Sequence, residues 1–327
     1  MTTTKPRLLY FESQGFQPAN LIFMAEQFEL ITLSDPSAID PRAVGDIAAA
    51  CAPMGYAFDR EMLAPFSSLQ VLITPTTGIL HIDTDYVREK GIHICSLKDQ
   101  QAYLSTITPT AELAWGLLLA VTRYIPAAFE TVKAGAWNGK QFGIRTPRML
   151  SAMNLGIIGL GRLGRLMAAY GQAFQMPVRY FDPYQSDDRY IRCDTLLELA
   201  RKSDIISVHV HLNTETENMV DTRFISEMPP GGFIINTARG GIVNESALLE
   251  NLQSGHLAGA GLDMLAKEHL PGFRVDLAHH PLVAYAREHD NLVLTPKMGG
   301  ATQDAWIGTE RRVLELALVE LRKRGIV

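Results

Sequence analysis

Asn154-Leu-Gly-Ile-Ile-Gly-Leu-Gly-Arg-Leu-Gly-Arg-Leu-Met167 begins almost halfway along this chain of 327 residues. Leu155 to Ile158 is a short apolar run of the kind that forms a buried strand, and Arg162 to Met167 is rich in helix formers. Between them Gly159, Gly161 and Gly164 hold the G-x-G-x-x-G spacing. In that pattern the first glycine permits a tight turn, the second lets the backbone approach a pyrophosphate, and the third lets the helix pack closely on the strand. The helix start adds N–H groups and a positive dipole end for phosphates. A glycine turn alone is weak evidence. Here Val178-Arg-Tyr-Phe-Asp182 places an acid 18 residues after Gly164, at the end of a second strand-like run. A carboxylate there can accept both ribose hydroxyls and would repel a 2′-phosphate, so the sequence predicts NAD rather than NADP as cofactor.

The composition agrees with a globular α/β chain. Apolar residues make up 47% and charged residues 20%, and the length suits two domains. A formal charge of -5 with no Lys/Arg cluster argues against nucleic acid or an anionic membrane as partner. Met1-Thr-Thr-Thr-Lys-Pro-Arg7 lacks the apolar core of a signal peptide, and no apolar run is expected to reach spanning length, so a cytoplasmic location is expected. Cys51, Cys95 and Cys193 are far apart with no CxxC pair, which predicts neither a disulfide framework nor a metal site.

Strand-like runs alternate with helical patterns from end to end, the sign of parallel α/β architecture. Before the glycine turn, strands are expected at Leu8–Phe11, Leu30–Leu33, Ile47–Cys51, Val71–Ile73 and Ile92–Ser96. Six more follow, at Leu155–Gly159, Val178–Asp182, Ile205–Val210, Phe233–Asn236, Gly259–Asp263 and Leu292–Thr295. An apolar helical pattern runs from Thr110 to Arg123, and a last one from Asp304 to Arg324. The expected fold is α/β with two doubly wound parallel-sheet domains. A discontinuous flavodoxin-like substrate domain (1–105 and 296–327) carries an inserted Rossmann NAD-binding domain (106–295).

Polar groups gather at the carboxyl ends of four strands, where open α/β sheets bind ligands. The stretches are Thr74-Pro-Thr-Thr-Gly78, Ile235-Asn-Thr-Ala-Arg-Gly-Gly241, Gly261-Leu-Asp-Met-Leu-Ala-Lys-Glu268 and Leu294-Thr-Pro-Lys-Met-Gly-Gly-Ala-Thr302. With SVHV at 207–210 and the turn ending in Ala111-Glu112 that opens the next helix, they make the sequence resemble, over nearly its whole length, the D-isomer-specific 2-hydroxyacid dehydrogenases. That family includes D-lactate, phosphoglycerate, glycerate and formate dehydrogenases. The resemblance implies that Arg239 holds the substrate carboxylate and keto oxygen, a task suited to its planar fork and permanent charge. It implies that Glu268 orients and supports the acid/base group, and that Asp263 anchors the nicotinamide carboxamide. The amides of Thr77 and Gly78 would cradle the substrate carboxylate. Arg162 and Leu163 would lie at the pyrophosphate, Thr237 and Ala238 would join the cofactor site, and His209 and Val210 would wrap the adenine. His209 also reads as a satisfied histidine on the sheet edge, and both readings stand. The other histidines, at 81, 93, 211, 256, 269, 279, 280 and 289, read as structural or solvated.

One position departs from the family. Lys297 stands where most members have histidine after the Thr-Pro of the TPxxGGAT run. Histidine exchanges protons readily near neutrality, whereas a lysine ammonium is a ready donor and a poor acceptor at pH 7. Two readings follow. Lys297 replaces histidine as proton donor and the chain acts mainly as a 2-keto acid reductase, or Lys297 binds an anionic group or merely packs. A protein that senses NAD(H) on the same fold, with weak or no catalysis, is the alternative in another class. Ala52-Pro-Met-Gly-Tyr-Ala-Phe58 carries no basic residue before Arg60, which points away from phosphoglycerate; Met54 and Tyr56 line a less charged pocket or belong to the core. The resemblance further implies a homodimer through the NAD domain, with Pro126 to Trp137 in the contact.

Overall fold

The computed structural model describes residues 5–144, 147–268 and 273–326. His269 and the first four residues, named above, lie outside the described residues. The chain divides into two compact units, Met1–Ile107 with Ala301–Val327, and Thr108–Gly300.

The first unit is built on β1 (Arg7–Phe11), β2 (Glu29–Leu33), β3 (Ala49–Cys51), β4 (Val71–Ile73) and β5 (His93–Cys95), all parallel, in the order β2-β1-β3-β4-β5. β3 and β4 are buried on both faces, which is why they read as unbroken apolar runs. The helix Gln303–Lys323 packs on β4 and β5 and buries Val313, Leu314, Ala317, Leu318 and Leu321, one stripe at helical spacing. Thr302 caps its start by accepting the amide of Ala305, and Arg322 and Lys323 sit at its negative end.

The second unit carries β6 (Leu155–Ile158), β7 (Val178–Phe181), β8 (Ile191–Arg192), β9 (Ile205–Val208), β10 (Gly232–Asn236), β11 (Leu257–Leu262) and β12 (Leu292–Leu294). Its parallel order is β12-β11-β10-β9-β6-β7-β8. β6 therefore lies between β7 on one side and β9 on the other, and the direction of winding reverses there. That reversal is the switch point at which doubly wound sheets bind nucleotides. The doubly wound reading of both sheets holds. The seventh strand, β8, was not anticipated: it is two exposed residues paired with Arg179 and Tyr180 at the sheet edge, too short to leave a pattern.

Gln101–Thr122, 22 residues of mean hydropathy 1.3, is long and apolar enough to span a bilayer by composition. The chain breaks it at residues 105–108, and Pro109 starts a new helix, Pro109–Thr122. That helix of 14 residues rises only about 21 Å against the roughly 30 Å of a hydrocarbon core. It buries Ala111, Ala114, Leu117, Leu118 and Val121 against β10, β11 and the helix Arg162–Ala173. All three cysteines are buried and unpaired, and no metal-binding group of side chains occurs among the described residues.

Candidate active site

The turn after β6 closes only with glycine. Gly159 adopts φ +89°, and a Cβ there would lie 2.6 Å from Val210 Cγ1 and 2.9 Å from the carbonyl oxygen of His209. A Cβ at Gly164 would lie 2.0 Å from the Gly159 carbonyl oxygen, so helix and turn touch backbone to backbone. Gly161 is different. It precedes the helix Arg162–Ala173 without capping it through a side chain, and a Cβ there would meet nothing within 4 Å. A helix start with no side-chain cap and open space at Gly161 presents N–H groups and a positive dipole end suited to a pyrophosphate.

Asp182 ties this turn to the end of β7. Its Oδ2 accepts the Leu160 amide at 2.7 Å, and its Oδ1 accepts the amides of Tyr184 and Gln185 at 2.8 and 2.9 Å. Oδ1 is thus occupied twice, and the spare acceptor capacity of the carboxylate lies on Oδ2.

Two buried polar atoms near the strand ends have no hydrogen-bond partner: Nδ1 of His209 and Oγ1 of Thr237. Such atoms are costly unless a ligand or water completes them, and both belong to residues expected at the cofactor. The residues present therefore fit a dinucleotide. His209 Nε2 lies 2.8 Å from Ser207 Oγ, and burial pushes its imidazole down from 6.5 to about 3. The ring is neutral in the folded chain but takes up a proton below pH 6.5 once unfolded. Stability from the neutral ring is complete above that pH and is lost progressively as pH falls toward 3. Urea unfolding of the cofactor-free chain between pH 6.5 and 4 is expected to show this loss, and His209→Asn to reduce the slope by about one proton. An unchanged slope in the variant contradicts the assignment.

The loops after β10, β11 and β12 carry the remaining candidates of this unit. Asn236, fully buried, donates to the Arg239 carbonyl at 2.9 Å and accepts the Ala238 amide at 3.0 Å, which fixes the NTARGG turn. Arg239 has extended backbone and an exposed side chain whose Nη1 donates to the Ala238 carbonyl at 2.6 Å. Among the described residues it forms no ion pair, so most of its donor fork is open. A Cβ at Gly240 would sit 2.0 Å from the Leu265 carbonyl carbon, so this loop and the one after β11 are in backbone contact. Glu245 reinforces that contact: one carboxylate oxygen accepts the Ala266 amide at 2.7 Å, and the other faces His280 Nε2 at 3.3 Å. Sequence reasoning missed Glu245 and His280 as supports of the site.

The loop pinned in this way ends in Glu268, and Glu268 Oε1 lies 2.9 Å from Lys297 Nζ. The carboxylate is largely buried and the ammonium half exposed, at 15% and 52%. The charged group that replaces histidine is therefore held by the acid expected to support histidine. Asp263, 2% exposed, accepts Thr295 Oγ1 at 2.6 Å, the Met298 amide at 2.9 Å and the Gly299 amide at 2.8 Å. Thr77 and Gly78 belong to the first unit. Their turn after β4 is braced by Thr76, whose hydroxyl donates to the Gly78 carbonyl at 2.7 Å and lies 3.1 Å from that of Thr74. Met54 is exposed, while Tyr56 packs against the core of that unit.

Comparison with known proteins agrees with this geometry. The profile of the D-isomer specific 2-hydroxyacid dehydrogenase NAD binding domain matches residues 115–299. The D-3-phosphoglycerate dehydrogenase of Bacillus subtilis (strain 168) is 32% identical over 262 residues, covering 79% of this chain and 46% of that protein. The chain thus spans about half the length of that relative. The glyoxylate reductase of Thermococcus litoralis is 32% identical over 307 residues, covering 88% and 86% of the two chains. The crystal structure of the TT0316 protein from Thermus thermophilus superposes with a TM-score of 0.82 at 28% identity, covering 97% of each chain. The second unit is an NAD-binding domain of the Rossmann type. The chain belongs to the D-isomer specific 2-hydroxyacid dehydrogenase family.

Proposed function

We propose that this chain is an NAD(H)-dependent reductase that converts a small 2-keto acid to its D-2-hydroxy acid, with Lys297 as proton donor. The observation that carries the reading is the 2.9 Å pairing of Lys297 Nζ with the carboxylate of Glu268. When bound, NADH supplies the hydride. The open fork of Arg239 grips the substrate carboxylate and keto oxygen. Lys297 gives its proton to the oxygen as negative charge develops there, and its half-exposed ammonium is restored from solvent. Glu268 keeps Nζ in place and compensates the positive charge around it. Gly159, Gly161, Arg162, Leu163 and Gly164 hold the pyrophosphate, Asp182 the ribose, and His209 and Val210 the adenine, with Thr237, Ala238 and Asp263 toward the nicotinamide.

The relative named glyoxylate reductase and the lack of basic residues in 52–58 favour a short, uncharged substrate side chain. NADH oxidation against glyoxylate, pyruvate, hydroxypyruvate, 2-ketobutyrate and phenylpyruvate, with chiral analysis of the products, tests the proposal. Tight NADH binding with no turnover on any of the five overturns it in favour of an NAD(H) sensor.

The proposal includes a cytoplasmic homodimer. Ile125, Phe129 and Val132 of the helix Ile125–Lys133 are all at least half exposed, and Trp137 beyond it is almost fully so. An apolar face of this kind on a folded domain marks a protein contact. Sedimentation is expected to show a dimer for the parental chain and a monomer for Phe129→Asp. A parental monomer refutes the assembly.

A further inference from the structure

Resting on the reading of Lys297 as proton donor, we propose that Asp263 is a positioning residue for Lys297 and acts through the backbone of the loop after β12. Lys297 has φ +56°, a left-handed conformation that a residue with a Cβ rarely adopts. Nothing in the sequence Thr295-Pro-Lys-Met-Gly299 imposes it. Asp263 does, from four directions. Its carbonyl oxygen accepts the Lys297 amide at 3.0 Å. Its Oδ1 accepts the Thr295 hydroxyl at 2.6 Å and the Met298 amide at 2.9 Å, and its Oδ2 accepts the Gly299 amide at 2.8 Å. The residue before Lys297 by two and the two residues after it are thus all fastened to one buried carboxylate. Asp263 is itself held, because its amide donates to the Asn236 carbonyl at 2.9 Å. The three donors together occupy both oxygens of the Asp263 carboxyl group. With the loop clamped, the lysine side chain leaves the backbone in the direction that brings Nζ to Glu268.

Asparagine at 263 keeps the shape but turns one acceptor into a donor facing the N–H of Gly299 or Met298. Asp263→Asn is therefore expected to loosen the turn and lower kcat for keto-acid reduction by about tenfold to a hundredfold, because a misplaced acid/base group loses its catalytic contribution. The Kd for NADH, read by fluorescence, reports what Asp263 contributes at the nicotinamide, so the positioning role is read from kcat at saturating NADH. A double-mutant cycle provides the decisive reading. If Asp263 works through Lys297, then Asp263→Asn in a Lys297→Ala background costs almost nothing further. Thr295→Val, which removes one bond of the clamp, gives a milder loss that Thr295→Ser restores, and it tests the idea even if Asp263→Asn fails to fold. Additive losses in the cycle, or a tenfold weaker NADH Kd with kcat intact, overturn the positioning role and leave Asp263 as a nicotinamide anchor alone. Near-parental turnover by Lys297→Ala instead overturns the donor reading on which this inference stands.

Discussion

Lys297→Ala is expected to lower kcat for reduction of the best 2-keto acid by about 10²- to 10⁴-fold, the usual contribution of a positioned acid/base group. KM and the NADH Kd should move little, because Arg239 and the glycine turn, the groups proposed to bind the two ligands, are untouched. Lys297→Gly is the informative companion. The backbone at this position is left-handed, which costs a residue with a Cβ roughly 1 kcal/mol and glycine almost nothing. The glycine variant is therefore expected to melt no lower than Lys297→Ala, which loses the same ion pair, while losing the same activity, which separates chemistry from folding. Lys297→His restores the residue type usual in the family and is expected to recover part of the reduction and to raise oxidation of the hydroxy acid relative to it. Imidazole accepts a proton near neutral pH, which an ammonium cannot do. Steady-state rates in both directions from pH 5.5 to 9 give all three readings. A Lys297→Ala enzyme that keeps its reductase rate would falsify the donor role.

The parts of this protein that were legible in its sequence are those determined by neighbours along the chain. Buried parallel strands are apolar throughout, so β3, β4, β6 and β10 are visible as runs, and the glycine turn at 159–164 announces itself by spacing. β8 left no trace because both of its residues face solvent at the edge. The site divides in the same way. Arg239, Glu268 and Lys297 stand in recognisable loops, but the supports that make them a site are contacts across the fold. Glu245 meets Ala266 from 21 residues away and His280 from farther still, and Asp263 reaches the amides of Met298 and Gly299 more than 30 residues on. The left-handed Lys297 is the clearest case. Local propensity argues against that conformation, and the carbonyl and carboxylate of Asp263 beneath the loop account for it.

Arg239→Lys is expected to lower kcat/KM by about 10²- to 10³-fold, the range seen when one donor to a developing oxyanion is removed. The substitution keeps the positive charge, so the loss measures geometry. A guanidinium offers five N–H donors in a fixed plane, and here one of its nitrogens is braced against the Ala238 carbonyl at 2.6 Å. That brace and the Asn236 clasp on the Arg239 carbonyl aim the remaining donors before substrate arrives. An ammonium on a flexible stem has no fork to match a carboxylate oxygen and a keto oxygen together. How the loss divides between constants shows what Arg239 does. If it only binds the carboxylate, KM rises and kcat is preserved, because ground state and transition state gain equally. If it also meets the charge that develops on the keto oxygen, kcat falls as well. The second outcome is expected, since Lys297 is already paired with Glu268 and the oxygen needs a donor whose charge is not compensated. Among the described residues Arg239 forms no ion pair. A parental kcat/KM in Arg239→Lys removes the geometric role and leaves charge alone as the contribution of Arg239.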